Sequence, residues 1–136
     1  MYFKIMQDDK LSDNIGQSMR NEWIDALPFT SEYLVFDFNN QYSCQTGLGI
    51  RKSDADLYGL QHLTTTRIIP ESLCATCILK GDYDELITER KLKEAVECIE
   101  AKGYQITGDI VAEIFDFGKT DGKYEVFHKC YFPIEI

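Results

Sequence analysis

Asp109-Ile-Val-Ala-Glu-Ile-Phe-Asp-Phe117, the linker Gly118-Lys-Thr-Asp-Gly122, and Tyr124-Glu-Val-Phe-His-Lys-Cys-Tyr-Phe132 together decide the fold class. Both flanking runs are rich in aromatic and β-branched residues, which suit a pleated, half-buried surface. The Asp-Gly step between them is a strong hairpin signal, because a two-residue turn needs positive φ at both positions. The stretch therefore predicts two antiparallel strands, Asp109 to Phe117 and Tyr124 to Phe132. Strand periodicity places Ile110, Ala112 and Ile114 on one face and Val111, Glu113, Phe115 and Phe117 on the other. Both faces are mostly apolar. If helices cover the first, the second carries a single carboxylate among aromatic and aliphatic groups, an arrangement that suits a lipophilic cation.

Upstream of this hairpin, Leu92, Ala95, Val96 and Ile99 recur at helical spacing. Asp82 or Asp84 is the expected N-terminal cap and Gly103 the stop. Before the helix, Cys74-Ala-Thr-Cys-Ile-Leu-Lys80 reads as a strand closed by Gly81-Asp82. The second half is thus strand, helix, strand, strand.

The first half repeats that order. Tyr2 to Gln7 is β-prone, and Ser12 or Asp13 caps a helix carrying Ile15, Met19, Trp23 and Leu27 until Pro28 stops it. Tyr33 to Phe38 and Tyr42 to Ile50 follow as strands, with Asn39-Asn40 suggesting a hairpin. Arg51 to Tyr58 is polar and reads as loop, and Gly59 to Ile69 as a connecting strand ending at Pro70. No Pro-rich or Gly/Ser-rich linker divides the chain. One α+β domain spanning residues 1–136 is expected, with an antiparallel sheet built from two pseudo-symmetric units and both helices on one face.

Composition excludes several functions. Hydrophobic residues make up 44% and charged residues 27%, as in ordinary globular domains. No apolar run approaches the roughly 20 residues of a membrane span, and the opening lacks a secretory pattern, so a cytosolic location without membrane association is expected. The net charge of −9, from 23 acidic and 14 basic residues, disfavours direct nucleic-acid binding. Five cysteines, an odd number without a dense framework, suit a reducing compartment. Cys74 and Cys77 have the spacing of a metal or redox pair, but in a strand they point to opposite faces, and no second Cys/His pair stands at zinc spacing. No Gly-rich phosphate loop is present, so neither metal nor cofactor is expected. His62 and His128 are isolated in sequence, although either could approach Glu113 in the fold.

Five local features then occur in order. Ile69-Pro70-Glu71 precedes a strand, Lys80-Gly81-Asp82-Tyr83 opens the helix, and Lys102-Gly103-Tyr104 closes it. Ala112-Glu113-Ile114-Phe115 lies in the next strand, and Tyr131-Phe132-Pro133-Ile134 lies at the end of the last. Over residues 68–136 this resembles the C-terminal half of the GyrI-like family, the effector-binding domains of MerR-type and AraC-type transcription regulators. The resemblance implies two strand-helix-strand-strand units with a ligand groove between them. It also implies that Glu113 matches the acid that receives a cationic, aromatic ligand in cation-binding members, with Phe115 in place of the family's tyrosine. Trp23 is similar to the aromatic of the family's first helix, and Trp23, Phe115 and Tyr131 are the expected lining.

The function implied is small-molecule effector binding, in transcription regulation or as a free-standing sensor, without a catalytic residue. Two alternatives stay open. One is a protein-interaction module like the family's gyrase inhibitors, whose acidic surface would face a basic protein partner. The other is a small hydrolase using Glu113 as general base. In the plainest structural alternative, Glu113 is a solvated or paired edge residue and the aromatics are core.

Overall fold

A computed structural model of the chain describes residues 2–5, 31–57, 59, 66–82 and 87–136. The helix expected around Trp23 lies outside the described residues, as do His62, Tyr83 and Asp84. In chain order the elements are β1 (Tyr2–Ile5), β2 (Ser31–Asp37), β3 (Ser43–Ile50), α1 (Lys52–Leu57), β4 (Thr66–Ile68), β5 (Cys74–Asp82), α2 (Glu89–Ala101), β6 (Gln105–Ile106), β7 (Ile110–Thr120) and β8 (Lys123–Glu135). The class is α+β, with mostly antiparallel strands. Two compact units divide the chain: Met1–Leu34 with Gln45–Glu71, and Val35–Cys44 with Ser72–Ile136.

In the first unit β1 lies between β3 and β4, antiparallel to both, with Tyr2 opposite Ile50 on one side and Ile68 on the other. The expected loop after β3 is instead the short helix α1. Ala55 donates its N–H to the Arg51 carbonyl at 2.9 Å and is fully buried. Asp54 in the first turn favours the positive end of this helix. One small apolar anchor in a charged hexapeptide leaves no amphipathic stripe to read, and Leu57 is itself 81% exposed. Of the stretch expected as a strand from Gly59 to Ile69, Thr66–Ile68 is strand, whereas Gly59 stands in a turn with φ of 69° and Ile69 lies past the strand's end; residues 60–65 lie outside the described residues.

In the second unit β8 pairs antiparallel with β5 and with β7, and its end pairs with β6. Val35 and Phe36, which point to opposite faces, are both buried, the pattern of a strand covered on both faces. Beyond β2, the Phe38 N–H donates to Asp109 Oδ1 at 3.4 Å, tying this end of the strand to the start of β7. The turn that follows is wider than an Asn-Asn two-residue loop. Tyr42 N–H reaches the Asp37 carbonyl at 3.0 Å, and the positive φ values fall on Gln41 and Tyr42, at 51° and 57°. Asp37 Oδ1, accepting from Asn39 N–H at 3.0 Å, starts the turn one step early.

The β7–β8 hairpin forms as expected and extends further. Its turn is Asp121-Gly122 alone, with φ of 51° and 81°. Helix α2 begins later than expected: its cap is Thr88, whose Oγ1 accepts from Lys91 N–H at 3.2 Å, while Asp82 continues β5 opposite Glu125. Leu92 and Val96 are buried, Ala95 and Ile99 half-buried, and Gly103 with φ of 93° closes the helix. The helix lies against β5 and β6. Ile110, Ala112, Val126, His128, Cys130 and Phe132 are almost completely buried and form much of this unit's core.

Candidate binding groove

Three of the four residues expected at the site lie in the β7–β8 pair, and Trp23 lies outside the described residues. Glu113 is half-buried opposite Lys129, and Tyr131 is half-buried opposite Val111, so Glu113 and Tyr131 share a face. Among the described residues Glu113 makes no hydrogen bond or ion pair. Lys129 extends its ammonium over the Tyr131 ring, 5.5 Å from the centroid. The position a ligand cation would take against that ring is thus occupied by the protein's own cation.

Phe115 is placed by an irregularity. Ile114 pairs with His128 and Asp116 with Phe127, so β7 carries one extra residue, a β-bulge. Phe115 is 50% exposed, its ring 6.5 Å from that of Phe127. Past the bulge, alternation inverts: Phe117 pairs with Val126 and belongs to the face of Ala112 and Ile114, not to that of Glu113 as strict period-two counting gives. It is 64% exposed, toward the turn end of the hairpin.

The concave feature of this unit is elsewhere. α2 runs back along β5, and between them lies a groove of about 960 Å³. Its walls include Cys77, Leu79, Ala95, Ile99, Tyr104 and Ile134. The cause is side-chain size. Ala75 and Cys77 on the strand and Ala95 and Cys98 on the helix are short where larger residues would close the gap. Lys91 and Lys102 stand toward opposite ends of α2 on the groove side. The Lys91 ammonium donates to the Lys80 carbonyl. Lys80 itself pairs with Glu125 at 2.8 Å, and Glu94, also on the rim, pairs with Arg90 at 3.2 Å.

Cys77 lies directly opposite Cys130, whereas Cys74 lies opposite Pro133. The Cys-x-x-Cys pair is therefore split between faces, and no cluster of three metal-ligating side chains occurs among the described residues. Beside Cys77, His128 is fully buried, and among the described residues neither ring nitrogen has a hydrogen-bond partner. Burial pushes its pKa down, the nearby Leu79 backbone works the other way, and the Lys91 charge lowers it further.

Sequence reasoning missed the groove. The available signal was the coincidence of small residues, Ala75 and Cys77 in one element and Ala95 and Cys98 in the next. Comparison with family models, with curated proteins and with solved structures finds no match to this chain.

Proposed function

We propose that the chain is a small-molecule-binding module, an effector-binding domain of the GyrI-like kind that acts in transcription regulation or as a free-standing sensor. The observation that carries this is the groove of about 960 Å³ between α2 and β5, whose size and apolar walls match those of small-ligand sites. The order β5, α2, β7, β8, with the two-residue strand β6 between α2 and β7, supports a strand-helix-strand-strand reading. A pseudo-symmetric partner unit is the part of the proposal that the first half of the chain would supply.

A second site on the same module is favoured by Glu113, a half-buried carboxylate without an ion pair among the described residues, flanked by Tyr131. A lipophilic cation bound there would have to displace the Lys129 ammonium from the Tyr131 ring. The groove makes no such demand, and it is the stronger candidate.

The test is a thermal-shift screen against lipophilic cations, lipophilic anions and neutral aromatics, using wild-type protein, Ala95→Trp to fill the groove and Glu113→Gln to remove the carboxylate. A ligand at 100 times its dissociation constant stabilises by about 2.7 kcal/mol, a readily measured rise in Tm. A shift lost in Ala95→Trp and kept in Glu113→Gln places the effector in the groove. The reverse pattern, confined to cations, places it on Glu113. No shift with any compound sinks the proposal.

A further inference from the structure

We infer that the groove between α2 and β5 takes an amphiphilic anion, such as an acyl carboxylate, laid along β5 with its head at the Lys91 end. The inference rests on the groove being a ligand site and adds the ligand's class.

Charge is the first argument. The protein carries a net charge of −9, yet the groove is bounded by cations. Glu94, which could offset them, is engaged by Arg90, and Lys80 is engaged by Glu125. Lys91 and Lys102 make no ion pair among the described residues. The unsatisfied charge at the rim is therefore positive, against the sign of the whole molecule, and a cationic ligand would meet it unfavourably.

Shape and polarity supply the second argument. At 1.5 Å of rise per residue, Lys91 and Lys102 are roughly 16 Å apart along the helix, so the groove is long rather than round. Between them the walls are Leu79, Ala95 and Ile99, with Ile134 toward the Lys102 end, and the thiols of Cys77 and Cys98 are weak hydrogen-bonding groups. Such walls reward a long apolar body and offer little to a compact polar one.

The two ends are not equivalent. Lys91 is half-buried in the first turn of α2, held by the Lys80 carbonyl, where the helix end adds positive potential. Lys102 is exposed at the opposite end, where the helix dipole has the other sign. A carboxylate is favoured at Lys91, with its chain running toward Tyr104 and Ile134.

The experiment compares three amphiphiles of one chain length below their micellar concentrations: dodecanoate, dodecyltrimethylammonium and dodecyl maltoside. Binding is read by thermal shift and by protection of Cys98, which lines the groove, from alkylation. Dodecanoate should bind best and protect Cys98. Lys91→Gln should weaken dodecanoate about tenfold, the worth of one charge-assisted hydrogen bond, and leave the maltoside unchanged. If dodecyltrimethylammonium protects Cys98 as well as dodecanoate does, the anion preference is wrong while the groove stands. If no amphiphile protects Cys98 and Ala95→Trp changes nothing, both fall.

Discussion

Cys77 of β5 and Cys130 of β8 stand directly opposite each other, and the Cys130 thiol donates to the His128 carbonyl at 3.9 Å. The neighbouring Cys130 thiol favours a Cys77 thiolate and lowers its pKa, against an opposing effect of partial burial. For Cys130 the facing Cys77, together with burial, pushes ionisation far above the ordinary thiol range.

Two adjacent thiols should therefore differ in reactivity. Iodoacetamide at neutral pH is expected to modify Cys77, half-exposed on the groove wall, while Cys130 stays intact until the protein is unfolded in urea. Peptide mapping by mass spectrometry reads this directly. Cys130→Ala should slow the Cys77 reaction, because the neighbouring thiol that favours its ionised form is lost. Equal labelling of both thiols in the folded protein would contradict the pairing.

His128 gives a pH dependence of definite sign. Its folded pKa lies below the ordinary value of 6.5, so as pH falls the unfolded chain takes up the proton first. Stability from this residue is present above that value and is lost as pH drops below it, by at most about 1.4 kcal/mol per pH unit. Urea unfolding at pH 7.5 and 5.5 should show a larger loss for wild type than for His128→Leu. The two proteins losing stability in parallel would mean that His128 is protonated as readily folded as unfolded.

Leu92 is fully buried on the inner face of α2, and Leu92→Ala should cost about 2–5 kcal/mol through lost transfer energy and the cavity left behind. Arg90, on the outer face and paired with Glu94 across one turn, is a solvated ion pair. Arg90→Ala should leave the urea midpoint nearly unchanged. Similar midpoints for the two variants would put the wrong face of the helix inward.

Two turn positions test the local geometry. Thr88→Ala removes the acceptor of the Lys91 N–H and should cost about 1 kcal/mol, whichever acids precede it. Gly122→Ala places a side chain at φ of 81° and should cost roughly 1–2 kcal/mol, with loss of the hairpin's tight closure. Chemical denaturation measures both, and a neutral Thr88→Ala would return the cap to one of the earlier acids.

Much of the second unit was legible because local signals agreed: Asp121-Gly122 fixed the hairpin, and Leu92 with Val96 and Gly103 fixed the helix. Where several residues compete for one role, spacing alone could not choose. Asp82 and Asp84 both follow a glycine, yet β5 runs on through Asp82, and Thr88 is the residue whose hydroxyl meets the first turn. α1 was hidden because its single buried anchor is an alanine. Val111 and Glu113 share a face as counting predicts, but that Lys129 and Tyr131 lie on the same face opposite them is set by register between chain segments distant in sequence. The groove was illegible for the same reason: it is made by small residues meeting across two elements.

The extra residue at Phe115 acts on β7 as a frameshift acts on a message. Upstream of it, odd and even positions mean one thing; downstream they mean the opposite, and Asp116 is turned to the face where a charge can stay wet. Deleting Phe115 would not simply remove a ring. It would also remove the bulge: Ile114 would stay opposite His128, Asp116 would become its direct neighbour and stay opposite Phe127, and ordinary alternation would run the length of the strand. A single residue thus sets the phase of the hairpin's outer half, and it stands at a position where a deletion would leave the flanking pairs in place.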